Sequence, residues 1–208
     1  MFADRTDAGR QLAARLPEYT RSPGAVVLGI PRGGVVVAAE VARELHLPLD
    51  VVLAAKVGAP GNPEYAIGAV AADGLVLVND QTGLDAATVE AASEPARDKL
   101  AHEMSSLRGK MPPRVIDAAA TTIVVDDGLA TGLTALAAVR YLKRLGATVV
   151  LAIPVASEDS VRLLEPEVDA LVVLEVPLTF GAVGQFYGRF GQTTDDEVRK
   201  LLDEAANA

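Results

Sequence analysis

The chain has 208 residues, half of them apolar, with 19 basic and 28 acidic side chains and no cysteine. That length can bury one full core, while the missing cysteines exclude a disulfide framework and a formal net charge of −9 disfavours the broad phosphate contact that nucleic acid requires. No run reaches the roughly 18 apolar residues of a membrane helix and no apolar leader follows Met1-Phe2-Ala3-Asp4-Arg5, so a cytoplasmic protein with neither a membrane nor a nucleic-acid partner is expected.

Ala25-Val26-Val27-Leu28 opens the pattern as a short continuous apolar strand, and Val35 to Leu45 follows with apolar residues at helical spacing. Val51-Val52-Leu53-Ala54-Ala55 reads as a second strand ended by Lys56, after which Val57 to Glu64 is too rich in turn residues to be regular. Ile67 to Val70 and Leu75 to Val78 flank Asp73-Gly74 as a hairpin. Helical residues run from about Asp85 to Leu107 with Pro95 as the one interruption, where Ser93 is placed to cap a fresh helix. Three further buried strands are expected at Thr122 to Val125, Val149 to Ile153 and Leu171 to Leu174, separated by helices over Thr131 to Leu145 and Asp159 to Leu164. Glycine and aromatics then dominate until Thr194 caps a last helix carrying Val198, Leu201 and Leu202. Apolar strands alternating with helices predict an α/β fold with a doubly wound, mainly parallel sheet, read as one domain over 1–208.

The most informative string is Thr122-Ile123-Val124-Val125-Asp126-Asp127-Gly128-Leu129-Ala130-Thr131-Gly132-Leu133-Thr134. In an open parallel sheet, ligands sit beyond the carboxyl ends of the strands, and this string puts two adjacent carboxylates there. Side by side, Asp126 and Asp127 can accept hydrogen bonds from vicinal hydroxyls and oppose positive charge on a nearby carbon. The loop after them suits an anion: Gly128 and Gly132 allow close backbone approach, Thr131 and Thr134 offer hydroxyls, and the helix start supplies N–H groups. Acids beside a phosphate cradle describe a ribose phosphate. A bare Asp-Asp-Gly is most simply a turn with a helix cap, but the whole string is much less common. Neither Gly-Lys-Ser/Thr nor G-x-G-x-x-G occurs, so the usual nucleotide loops are excluded. A second strand end, Leu28-Gly29-Ile30-Pro31-Arg32-Gly33-Gly34-Val35, adds an arginine, two glycines and another helix start.

The thirteen-residue string resembles the phosphoribosyl pyrophosphate signature of type I phosphoribosyltransferases, and the chain as a whole is similar to small bacterial members of that family. The resemblance implies magnesium-dependent transfer of ribose 5-phosphate from phosphoribosyl pyrophosphate to a nitrogenous acceptor, most simply a nucleobase, with pyrophosphate released. It implies that Asp126 and Asp127 meet the ribose hydroxyls, that Ala130, Thr131, Gly132, Leu133 and Thr134 wrap the 5′-phosphate, that Gly128 and Leu129 also contact the donor, and that Arg32, Gly33, Gly34 and Lys56 serve the pyrophosphate. The family's pyrophosphate loop often carries a cis peptide, here placed at Arg32–Gly33. Magnesium would be held chiefly through substrate, with Asp126 or Asp127 as a candidate ligand.

Residues 58–78 would form a flap over the site and 177–193 a hood that selects the acceptor, with Phe180, Phe186 and Tyr187 as candidate acceptor contacts. Ala130 stands where family members acting on 6-oxopurines carry an acid, which puts hypoxanthine and guanine in doubt. The competing reading is a non-catalytic phosphoribosyl pyrophosphate sensor or regulatory subunit. Either reading leaves a homodimer open.

Overall fold

In the computed structural model, residues 1–71, 74, 76–78, 83–108 and 120–207 are described, with backbone alone at 63–66 and 108. The central sheet has five parallel strands, β1 (Val26–Gly29), β2 (Leu49–Val51), β6 (Thr121–Val125), β7 (Thr148–Val155) and β8 (Ala170–Glu175), in the order β2-β1-β6-β7-β8. From β1 the chain steps outward to β2, and after its return through β6 it steps the other way to β7 and β8. The order therefore reverses between β1 and β6, which is where a doubly wound sheet opens a crevice for ligand.

Alternation along the strands divides the core between two faces. Val27, Ile123, Val125, Val150 and Ala152 point to one side, where α2 (Gly33–Leu45), α6 (Asp195–Ala206) and α1 (Arg5–Ala13) pack. Val26, Leu28, Val124, Val149, Leu151 and Ile153 point to the other, against α4 (Leu133–Arg144) and α5 (Glu158–Leu164). Strands buried on both sides have no polar face to show, which is why they appear in the sequence as continuous apolar runs.

The middle of the chain forms a separate antiparallel sheet of β3 (Ala54–Ala59), β4 (Asn62–Ala71) and β5 (Val76–Val78). The expected hairpin is present, pairing Gly68 with Val78 and Val70 with Val76, but its root is core rather than a free flap. Ala69 and Ala71 bury against Ala137 of α4, and Ile67 and Val70 enter the main core. The exposed turn at Pro60-Gly61 joins β3 to β4. Glu64 and Tyr65, which the flap reading would point inward, and Asp73 of the expected turn lie outside the described side chains.

Three expectations about elements are corrected. The stretch from Val57 to Glu64 is mostly regular, since β3 runs to Ala59 and β4 begins at Asn62. The strand ended by Lys56 is two strands: β2 stops at Val51 and a new one starts at Ala54 in the other sheet. Pro95 does not interrupt the long helix, because α3 (Ala86–Arg108) passes through it, and Ser93 starts no new helix. The Ser93 hydroxyl instead donates to the Val89 carbonyl one turn back at 2.7 Å. A proline inside a helix costs about 3 kcal/mol. Burial of Ala96 and Leu100 on the same helix against the main core offsets it.

Candidate active site

Because β1 and β6 are neighbours in register, with Gly29 opposite Val125, the two loops singled out in the sequence leave the sheet side by side. The Ile30 N–H donates to the Val125 carbonyl at 2.9 Å and carries this contact past the strand ends. The fit is tight. A Cβ added to Gly34 would lie 2.8 Å from the Asp126 Cα and 2.9 Å from the Val125 carbonyl oxygen, and one on Gly33 would lie 1.9 Å from Asp127 Oδ2. Only residues without a side chain let these two loops meet.

The helices that begin here differ from the others. Asp4, Asp85, Ser157 and Thr194 cap α1, α3, α5 and α6 with side-chain acceptors. The N-termini of α2 and α4 have no side-chain cap and no acidic residue in the first turn. Two helix starts without side-chain caps are suited to bound anions.

The loop after Asp127 is held from beneath. Leu129 donates to the Val155 carbonyl and accepts from the Ser157 N–H, while the Ser157 and Ser160 hydroxyls both donate to the Ala130 carbonyl, at 2.8 and 3.0 Å. Gly132 then turns the chain into α4 with φ of +70°, a left-handed conformation that favours glycine. Thr131 remains exposed and Thr134 half-buried.

The acids themselves are constrained. Asp126 Oδ1 accepts the Asp127 N–H at 2.8 Å. Asp127 Oδ2 is not a free acceptor as expected, because Arg5 Nε donates to it at 2.7 Å with both side chains mostly covered, 12% and 15% exposed. Burial, followed by the neighbouring charge of Asp127, pushes the Asp126 carboxyl well above the usual carboxylate range. Burial also raises Asp127, opposed by its hydrogen bond from Arg5 and the charge of that guanidinium. A carboxyl whose pKa is higher folded than unfolded contributes stability below the unfolded value, near 4, and loses it as pH rises through the folded value. The expected result is that the melting temperature of Asp126→Asn exceeds that of the wild type by a margin that widens from about pH 4 to pH 7; thermal melts across that range check it.

Arg5 was not singled out in the sequence. Its helix, α1, is mostly polar, and its partner lies 122 residues away. The available signal was a cation in the first turn of a helix, where the macrodipole disfavours it. Around this pair the hood and the N-terminus form one layer. Phe2 pairs with Tyr187 as a β-bridge, their rings 5.4 Å apart, and the Gly188 and Arg189 N–H groups donate to the Phe2 and Ala3 carbonyls. Tyr187 is therefore corrected as an acceptor contact: it is 5% exposed and its hydroxyl donates to the Asp127 carbonyl at 2.5 Å. Phe180 and Phe186 pair with each other at 5.3 Å and stay half-buried.

Arg32 stands at the start of α2, exposed, with Nη1 3.5 Å from Asp195 Oδ1 at the start of α6. The cis peptide is at Pro31–Arg32, one bond before the expected position. Lys56 belongs to the antiparallel sheet. It sits in β3 opposite Ala69 and lines a groove of about 760 Å³ with Thr88, Pro95 and Lys99 of α3. Among the described residues no three His, Cys, Asp or Glu side chains gather as a metal site, and no helix is long and apolar enough to cross a membrane.

The phosphoribosyl transferase domain family matches residues 4–187, which include both loops, Arg5 and the hood as far as Tyr187. The chain belongs to that family. Two Mycobacterium tuberculosis proteins, from strains H37Rv and CDC 1551 / Oshkosh and both carrying the name "Putative phosphoribosyl transferase", are each 44% identical over 210 residues. That match covers 99% of this chain and 47% of each relative, so the chain spans about half the length of the curated relatives. The crystal structure of a Thermus thermophilus protein, TT1426, is 42% identical and superposes with a TM-score of 0.83 over 98% of each chain. The fold of this phosphoribosyl transferase family member is thereby that of a solved protein along almost its whole length.

Proposed function

We propose that the chain transfers ribose 5-phosphate from magnesium-bound phosphoribosyl pyrophosphate to a small nitrogenous acceptor and releases pyrophosphate. The observation that carries this reading is the meeting of an acid pair and two helix N-termini without side-chain caps at the switch point between β1 and β6. Such a donor has an anion at each end and a pentose between them, which two uncapped helix starts beside an acid pair would suit. The N–H groups that open α4, with Thr131 and Thr134, receive the 5′-phosphate, while Asp126 and Asp127 accept from the ribose hydroxyls. Gly33, Gly34 and the start of α2 receive the pyrophosphate, with Arg32 alongside.

As the bond from C1 to pyrophosphate lengthens, the ribose takes on oxocarbenium character, and the nearby carboxylates stabilise that positive charge. Arg32 and the α2 N–H groups stabilise the departing anion. Magnesium fits as an ion bound chiefly by the donor's own phosphates, since the protein offers two adjacent carboxylates and no larger ligand cluster among the described residues. Asp126 or Asp127 would hold its protein side, and the ion would supply neutralising charge. We leave Lys56 out of the donor contacts, because β3 presents it to the α3 groove.

The acceptor would enter beneath the hood beside Phe180 and Phe186, with Val183 packed over Gly128. Ala130 offers no side-chain acceptor and its carbonyl already takes two hydroxyls, which favours acceptors other than 6-oxopurines. The reading treats 1–208 as one unit and keeps the cytoplasmic placement expected from the sequence. A panel of nucleobases, orotate and amines incubated with phosphoribosyl pyrophosphate and magnesium tests it through pyrophosphate release. Release dependent on one acceptor class is expected. Silence across the panel with donor binding intact would favour a sensor.

A further inference from the structure

Arg5 is fixed on three sides. Its Nε donates to Asp127 Oδ2 at 2.7 Å, its Nη1 donates to the Gly191 carbonyl at 2.7 Å, and the face of its guanidinium lies 3.9 Å from the centre of the Phe190 ring. The Phe190 ring is itself stacked at 5.0 Å on Tyr187, whose hydroxyl takes the Asp127 carbonyl. The second acid of the pair is thus held by its side chain from α1 and by its backbone from the hood. An arginine in the first turn of a helix works against the macrodipole, and an ordinary surface ion pair contributes little to stability. A residue placed there, mostly covered and held through Nε, Nη1 and the Phe190 ring, serves the group it touches.

We infer that Arg5 is a positioning residue for the ribose side of the site: by occupying Oδ2 it fixes the Asp127 carboxylate so that Oδ1 is the oxygen offered to the sugar. The inference rests on the donor reading proposed above. A second consequence concerns charge. Two bare adjacent carboxylates would repel a donor that carries phosphate at both ends, and Arg5 balances one of them. Lysine could supply that charge but not the fork, since a single ammonium cannot address Asp127 and Gly191 in these directions while stacking on Phe190.

The test uses the full chain and two probes that divide the donor, ribose 5-phosphate alone and magnesium pyrophosphate, each titrated calorimetrically into wild type, Arg5→Ala and Arg5→Lys. Arg5→Ala is expected to weaken ribose 5-phosphate binding by about ten- to a hundredfold, the range of a charge-assisted hydrogen bond, and to change pyrophosphate binding by less than about threefold. Arg5→Lys should fall between wild type and Arg5→Ala for the sugar probe; if Arg5→Ala does not fold, a sugar-selective loss in Arg5→Lys carries the test. Equal loss for both probes would show that Arg5 merely supports the fold and would overturn the inference, as would unchanged sugar affinity in both variants. Wild type that binds neither probe would overturn the donor reading itself.

Discussion

Replacing both acids, Asp126→Asn with Asp127→Asn, is expected to remove the stabilisation that phosphoribosyl pyrophosphate and magnesium give the protein without lowering the melting temperature of the free chain. A ligand at a hundred times its Kd stabilises the folded state by about 2.7 kcal/mol, and in a chain of this size that amounts to roughly 5–10 °C. The wild type should show a rise of that order and the double variant none. The free chain should not suffer, because burial already disfavours the charged form of both carboxyls, and an asparagine keeps the shape while removing the buried charge. Arg5 would lose its partner in this variant, which limits any gain in stability. A double variant that still melts higher with donor, by the wild-type margin, would remove the acids from the binding site.

The second large effect concerns the glycines between the loops. Gly34→Ala forces a methyl group against backbone, the Asp126 Cα at 2.8 Å and the Val125 carbonyl at 2.9 Å, so strand ends that are bonded to one another must separate. Overpacking of this kind costs about 2 kcal/mol, or roughly 5 °C in melting temperature, and donor binding should be lost with it. Gly33→Ala meets the side chains of Asp127 and Arg5 rather than backbone, and these can swing away. It should therefore keep most of its stability and lose donor affinity, since the Asp127 carboxylate is displaced from Arg5. Paired melting and binding measurements on both variants separate the two outcomes, and equal stability losses would show that the loops pack less closely than these distances require.

Strands β1, β6 and β7 were legible because each is buried on both faces and writes a continuous apolar run, β8 writes one although it is only half-buried, and the site loops were legible because glycine, threonine and paired acids serve few local purposes together. The division of Val51 to Lys56 into two sheets was not, since Val52 and Leu53 are as buried between the strands as within them. Periodicity reports burial and says nothing about which sheet takes the residue. Pro95 misled for a different reason: its local cost is real, and only the packing of α3 against the rest of the chain outweighs it. Arg5 and Tyr187 were missed as partners of Asp127 because each contact joins one end of the family domain to its interior, 122 and 60 residues apart, and no local pattern records such a separation. Tyr187 shows how an aromatic cluster near a site divides, with one ring holding an acid in place and Phe180 and Phe186 left half-buried beside it.

Calorimetric titration of the unaltered protein with phosphoribosyl pyrophosphate, with magnesium and then with chelator, addresses the grip of the β1–β6 crevice on its donor most directly. One saturable event per chain is expected, strengthened by magnesium and competed by ribose 5-phosphate. A flat titration at millimolar donor with magnesium present would contradict it.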